Sequence, residues 1–196
     1  WYCLSRVDVM DRELAEAMRD AGCRMVNFGI ESGDPDILLK IGKKMSIEKA
    51  IDAVRACRQA GLRTQCTFIV GFPFDTEKTM RRTYEVAKKI GPTIAIFFPL
   101  TPYPGTEVYD RFLDPARVPK TIDEWGTFVM TGKSTPVTVN GEFTGDMLNS
   151  IANRWNMKFH LRPVQWYRIL STISDHRELG RLIKAAVYVL RNGMTR

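Results

Sequence analysis

Histidine is nearly absent from this 196-residue sequence, and its cysteine is sparse and unpaired. The two histidines are His160 and His176; the four cysteines are Cys3, Cys23, Cys57 and Cys66, separated by 20, 34 and 9 residues. None of these spacings is a CxxC or a related ligand pair, which argues against a metal site made from the four cysteines alone. No Ser-His-Asp or Cys-His arrangement is suggested, so triad-type nucleophilic catalysis is not expected. The GxGxxG of a dinucleotide fold and the GxxxxGK[ST] of a phosphate-binding loop are both missing. No run approaches the roughly 18 apolar residues of a membrane span, and no signal peptide is visible. Cys3 and Cys66 fall in apolar strand-like runs and Cys57 in a helix-like pattern, so the cysteines read as small buried hydrophobes of a reducing, cytoplasmic compartment.

What is present is an ordinary globular composition, 44% hydrophobic and 26% charged, at a length that suffices for one domain with a sizeable core. The net charge of +7 is unevenly placed. Residues 1–151 carry 20 basic and 20 acidic side chains, whereas residues 152–196 carry nine basic and two acidic. Such a tail is either the solvated face of packed helices or a surface for an acidic partner, nucleic acid or an anionic membrane.

Read in order, the chain opens on an apolar strand-like run, Trp1 to Leu4, followed by Arg6 and Asp8. Because this run begins at Trp1 rather than at a methionine, further strands are expected before it. A helix is predicted over Asp11 to Asp20, closed by Ala21-Gly22. The short run Met25 to Phe28 reads as a buried strand and leads into Gly29-Ile30-Glu31-Ser32-Gly33. Asp34-Pro35 opens a short helix through Ile41. Ser46 caps another, with Ile47, Ala50, Ile51, Val54 and Cys57 on one face and Ala60-Gly61 at its end. A third strand, Thr64 to Val70, ends at Gly71-Phe72-Pro73. Asp75 or Thr76 caps a helix that stops at Ile90-Gly91. A fourth strand, Thr93 to Phe98, leads into Pro99-Leu100-Thr101-Pro102-Tyr103-Pro104-Gly105-Thr106.

Helix, glycine, strand, and glycine- or proline-rich loop thus recur three times, which argues for βα units and a parallel sheet. The distinctive residues all follow strands. They therefore belong at the C-terminal edge, where βα barrels and open α/β sheets bind ligands. Four strands cannot close a barrel, so either the sheet is open or the remaining strands lie elsewhere. After Phe112 the pattern breaks into a proline- and glycine-bearing linker or lid, residues 113–143, with one β-like run from Pro136 to Val139. Helices follow over Met147 to Leu161, capped by Thr144, then Val164 to Ile173 and Arg177 to Leu190. Their apolar stripes suit packing against the preceding domain. Trp166, Tyr167 and Tyr188 beside arginines suit a membrane surface.

At the strand ends the chemistry is specific. Glu31 is costly to bury unpaired, so it belongs to a ligand-facing cavity or to a solvated helix start. Glu31 and Ser32 offer acceptors for ribose hydroxyls or an amine. Arg6 offers a fork for a carboxylate, or a surface salt bridge with Asp8. Gly71, Phe72 and Pro73 form a tight turn, and the prolines around Pro99, Leu100 and Thr101 fix backbone edges against a flat ring. A zwitterionic, ribose-bearing ligand fits such a set.

Four segments together resemble a known family: Trp1-Tyr2-Cys3-Leu4-Ser5-Arg6-Val7-Asp8; Ala21-Gly22-Cys23 with Phe28-Gly29-Ile30-Glu31-Ser32-Gly33; Phe68-Ile69-Val70-Gly71-Phe72-Pro73; and Thr101-Pro102-Tyr103-Pro104-Gly105-Thr106. In order and spacing they are similar to the C-terminal half of a radical S-adenosylmethionine (SAM) core. The likeness is to the branch associated with cobalamin-binding domains, which includes anaerobic magnesium-protoporphyrin ester cyclases and hopanoid methylases. The resemblance implies an α/β fold, the C-terminal part of a partial (β/α)6 TIM-like barrel (strands three to six) over residues 1–112, with a helical extension over residues 144–196. It implies SAM, a [4Fe-4S] cluster whose CxxxCxxC ligands lie upstream of this chain, and cobalamin on a separate upstream domain. It implies an enzyme that cleaves SAM reductively and starts radical chemistry such as methylation or cyclisation, with this fragment inactive alone. By position, Arg6 corresponds to a SAM carboxylate ligand, Glu31 and Ser32 to the polar pair near the ribose or methionyl end, Gly71, Phe72 and Pro73 to the turn beside adenine, and Pro99, Leu100 and Thr101 to backbone closing the adenine pocket. The implied partners are the upstream half of the barrel, a cobalamin domain and a peripheral membrane surface. The family's tRNA-modifying members append a small β-barrel that a helical tail does not resemble, so nucleic acid is not expected. A tRNA-modifying enzyme and a non-enzymatic α/β module with a docking tail are the alternatives.

Overall fold

A computed structural model of the chain describes residues 1–126, 137–173 and 180. Four strands, β1 (Tyr2–Ser5), β2 (Met25–Glu31), β3 (Arg63–Val70) and β4 (Ile94–Pro99), form one parallel sheet in the order β1-β2-β3-β4. The crossovers carry α1 (Arg12–Asp20), α2 (Pro35–Lys40), α3 (Ile47–Gln59) and α4 (Glu77–Ile90). Beyond β4 come α5 (Glu107–Phe112), a 3-10 turn (Pro115–Arg117), α6 (Ile122–Gly126), α7 (Gly145–His160) and α8 (Pro163–Leu170).

The expected caps explain where the helices begin. Asp11, Asp34, Ser46 and Thr144 each accept from a backbone N–H in the first turn they open, which satisfies donors the helix itself leaves free. Of the two candidates before α4, Thr76 is the cap, in a reciprocal capping box with Thr79; Asp75 is used elsewhere.

Alternation along the strands divides the sheet into two faces. Val26, Phe28, Ile30, Cys66, Phe68, Val70, Ala95 and Phe97 are buried in one core with Ala50, Val54, Cys57, Met80 and Ala87 of α3 and α4. Phe68 stacks on Phe97 with ring centroids 5.0 Å apart. The opposite face carries Leu4, Asn27, Glu31, Gln65, Thr67 and Ile96 and is only partly covered or exposed.

The two edges of the sheet differ. Along β1, Trp1, Tyr2 and Leu4 are exposed. Along β4 lies α7, whose Leu148, Ala152 and Phe159 join the core. Asn156 accepts from Phe97 N and donates to Phe97 O, each at 2.8 Å. The expected packing of the C-terminal helices on the preceding domain holds for α7.

Other expectations shift. β2 runs past Phe28 to Glu31, because a bulge between Gly29 and Glu31 lets pairing with β3 continue. Residues 137–139 of the anticipated β-like run form no strand. Its Pro136 lies outside the described residues, as do His176, Tyr188 and, but for residue 180, the helix expected from Arg177 to Leu190. The segment supplies a tether instead, since Asn140 donates to Phe72 O at 2.8 Å and Asp75 O at 2.9 Å.

Candidate functional site

The parallel sheet brings the ends of β1 to β4 to one edge. Glu31 sits there with φ +68°, the one non-glycine residue in the left-handed region among those described. A branched or long side chain in that region costs about 1–3 kcal/mol, so a Glu there is a strained residue held in place by its surroundings. Its carboxylate lies back over Gly29, where any Cβ would collide with Oε1. Lys43 Nζ, from the turn between α2 and α3, donates to Glu31 Oε1 at 3.2 Å. Both partners are largely but not fully shielded, with side-chain exposures of 35% for Lys43 and 24% for Glu31.

Ser32 is adjacent in sequence yet directed elsewhere. It is 1% exposed; its hydroxyl lies 3.2 Å from Thr83 Oγ1 of α4 and accepts from Asp34 N at 3.1 Å. Arg6 is also engaged: Nε and Nη2 donate to the two Asp8 oxygens at 2.9 and 2.7 Å, on the surface. The guanidinium holds the Asp8 carboxyl down to about 2. The structure thus realises the salt-bridge reading of Arg6.

The turn after β3 is built from its backbone upward. Gly71 has φ +88° and packs directly under Leu148 of α7. Asp75 Oδ2 accepts from Gly71 N and Phe72 N, both at 3.0 Å, and Oδ1 accepts from Thr79 at 2.7 Å. Burial pushes the Asp75 carboxyl up, against the pull of those three hydrogen bonds. Phe72 is buried and Pro73 half-buried. The end of β4 is locked to this turn, for Leu100 N donates to Val70 O at 2.8 Å. Pro99 and Thr101 are buried beside it.

Of the nine residues expected at the site, Glu31, Gly71, Phe72, Pro73, Pro99, Leu100 and Thr101 share this edge, while Arg6 and the Ser32 hydroxyl are committed to protein partners. One partner of Glu31 was missed in the sequence. Lys43 lies 12 residues beyond Glu31, in Gly42-Lys43-Lys44, with no local signal of its use.

Beside this edge the buried Thr101 Oγ1 has no partner among the described residues; Asn27 Oδ1, also without one, lies further back along β2, level with Leu4 and Gln65. A buried acceptor left unpaired costs about 1–3 kcal/mol, and at the edge itself Glu31 and Thr101 are the side-chain acceptors. A ligand carrying ammonium, hydroxyl and amino donors, as SAM does, fits them. The cysteines do not fit an iron–sulfur cluster. Cys23, Cys57 and Cys66 are buried and all four are free thiols. Burial pushes Cys57 up to about 12 and Cys66 up as well, away from the thiolate a cluster requires. Among the described residues no three His, Cys, Asp or Glu side chains are grouped to hold a metal ion.

The comparisons with known proteins meet this geometry. Residues 2–87 match the model of the Radical SAM superfamily. Residues 2–87 belong to that superfamily. An uncharacterized methyltransferase of Pyrococcus horikoshii is 33% identical over 187 residues, 95% of this chain and 39% of the relative. An anaerobic magnesium-protoporphyrin IX monomethyl ester cyclase of Cereibacter sphaeroides is 30% identical over 108 residues, 55% of this chain and 18% of the relative. The chain therefore spans well under half the length of these curated relatives. The archaeal Elp3 of Methanocaldococcus infernus, solved with an N-terminal deletion, shares the fold with a TM-score of 0.53 at 19% identity, over 82% of this chain and 42% of that one. The radical SAM likeness read from the four motifs is borne out, as is the α/β parallel-sheet architecture.

Proposed function

We propose that this chain is the SAM-facing half of a radical SAM enzyme of the cobalamin-associated branch. The observation that carries the reading is the strand-end edge that brings the strained Glu31 together with the Gly71–Pro73 turn and Thr101, whose buried hydroxyl has no partner among the described residues. Glu31 and Thr101 would accept from the ligand's ammonium and hydroxyl groups, and the Gly71–Pro73 turn with Pro99 to Thr101 would flank the adenine. Since Asp8 occupies Arg6, Lys43 is the better-placed cation for the carboxylate of SAM. A shift of Lys43 from Glu31 to the ligand would free Glu31 to accept a donor in return.

In such an enzyme a [4Fe-4S] cluster would be held by cysteines outside this chain and, once reduced by an external one-electron donor, would supply the electron for reductive cleavage of SAM. This chain's residues bind and orient SAM and provide no cluster ligand. Radical-initiated methylation or cyclisation fits the names carried by the relatives, and cobalamin belongs to the same proposal through the motif likeness. In that enzyme residues 1–112 are barrel, residues 113–143 a lid tied down by Asn140, and residues 144–196 a helical extension. The exposed Trp166, Tyr167 and Leu170 of α8 support peripheral membrane contact, which co-sedimentation with vesicles checks.

The test uses the full-length reconstituted protein. Glu31→Ala should weaken SAM binding and abolish its reductive cleavage. Wild-type binding and cleavage in that variant would remove this edge from the SAM site.

A further inference from the structure

Away from the turn and loop that end β3 and β4, a cavity of about 450 Å³ lies between α2, the turn joining α2 to α3, and α4. Lys43 and Lys44 of that turn line it, with Arg82 and Lys89 of α4. Its apolar wall includes Leu38, Leu39, Met45, Ile47 and Val86. Of the residues placed at the Glu31 edge, Lys43 is the one that also lines this cavity. Close packing fixes the floor. A Cβ on Gly33 would lie 2.6 Å from Val86 Cβ and 2.7 Å from Thr83 Cα, and Gly33 N donates to Thr83 Oγ1 at 2.9 Å. The turn is held by its own backbone, with Lys43 N donating to Leu38 O at 2.9 Å and Met45 N to Lys43 O at 3.0 Å. The cavity is therefore preformed, and its size falls within the range of about 300–1,000 Å³ typical of small-molecule sites.

The charges around this cavity do not balance. Lys43 has Glu31 and Arg82 has Asp34, each at 3.2 Å. Lys44 and Lys89 have no carboxylate partner among the described residues. Glu48, in the first turn of α3, is the acidic residue of the lining. It offsets one of the two lysines, so a single positive charge is left over. The first turn of α3 borders the same cavity and adds the partial positive charge of a helix start. Solvated lysines alone would be an ordinary surface. Here they share a cavity with apolar side chains that are buried, as Leu38 is, or half-buried, as Met45, Ile47 and Val86 are. Leu39, in the same lining, is 80% exposed.

We propose that this cavity binds a small organic monoanion with an apolar body, such as a carboxylate on a hydrocarbon chain. Lys44 and Lys89 hold the anionic group, and Leu38, Leu39, Met45, Ile47 and Val86 cover the hydrocarbon. Neither half suffices alone. Exposed lysines hold a small anion weakly, and an uncharged hydrocarbon leaves the surplus charge unanswered. An acidic polypeptide or an anionic membrane would bring several negative charges, more than the one this lining leaves unbalanced. The site does not rest on the SAM reading, in which Lys44, Lys89 and Leu39 take no part.

The test is calorimetric titration of the full-length protein with sodium octanoate, sodium acetate and octanol at one ionic strength, below the concentration at which octanoate forms micelles. Wild type should bind octanoate, and acetate and octanol roughly tenfold more weakly or not at all. The double variant Lys44→Gln/Lys89→Gln should weaken octanoate binding by roughly fivefold or more, the loss of two exposed charge contacts. Leu39→Ser should weaken it several-fold through lost apolar contact. All three side chains are exposed, so both variants should keep the wild-type melting temperature in chloride. A wild-type protein that fails to bind octanoate overturns the proposal. So does octanoate binding that either variant retains at full strength, and so does acetate or octanol binding as tightly as octanoate.

Discussion

The Asn156 side chain pairs with Phe97 as a neighbouring strand would, donating to its carbonyl and accepting from its N–H at 2.8 Å each. One amide on a helix thereby completes the hydrogen bonding of the middle of β4, at the edge where the sheet would otherwise continue. Asn156→Leu keeps the volume roughly constant and leaves both Phe97 groups unpaired. The expected loss is ~2–4 kcal/mol, from two unsatisfied backbone groups. Denaturant unfolding of the full-length protein measures it, and an unchanged midpoint would show that water replaces the amide.

Glu31 offers the opposite trade. Glu31→Gly relieves the left-handed backbone at the cost of the Lys43 pair, which is half-shielded and worth ~0–1 kcal/mol. A net stabilisation of about 1 kcal/mol is expected, together with weaker SAM binding. Melting curves and SAM titration read the two effects separately. Lower stability in this variant would mean that the carboxylate contributes more to the fold than its backbone strain removes.

Gly71 has two reasons to be glycine, its φ of +88° and Leu148 above it. Gly71→Ala should cost ~2–4 kcal/mol, combining backbone and overpacking penalties. In Gly71→Ala/Leu148→Ala the steric part is relieved, so the double variant should be less destabilised than the sum of the singles. Strict additivity in a double-mutant cycle would deny the contact.

Asp75 gives the fold a pH dependence. Its folded pKa is raised above the ordinary value of 3.8, so the folded state binds the proton more tightly than the unfolded one. The associated stability is present below pH 3.8 and falls as pH rises through the folded pKa. Asn in its place cannot titrate. The stability of Asp75→Asn should therefore lack that decline above pH 3.8, while parallel curves for variant and wild type would remove Asp75 as its source.

Much of the fold was legible because its signals are local. Asp11, Asp34, Ser46 and Thr144 cap helices through bonds to residues two or three positions on, and Gly22, Gly61 and Gly91 end them with positive φ. The site was legible only as an edge. That Ser32 turns to Thr83 depends on packing 51 residues away, and that Asn140 holds Phe72 on a contact across 68. Nothing in the local chemistry of Glu31 calls for a left-handed backbone, since glutamate disfavours it. Arg6 was ambiguous for a related reason: a fork two residues from an aspartate serves either a ligand or that neighbour, and the geometry chose the neighbour.

The unequal edges of the sheet give it a direction of growth. With α7 seated along β4 through Asn156, a strand joining this sheet must come on at β1, against exposed Tyr2 and Leu4. The same asymmetry sets a hazard. A bare parallel edge flanked by exposed apolar side chains is a template for any extended chain that reaches it first, and the β1 edge is where such unwanted pairing would start.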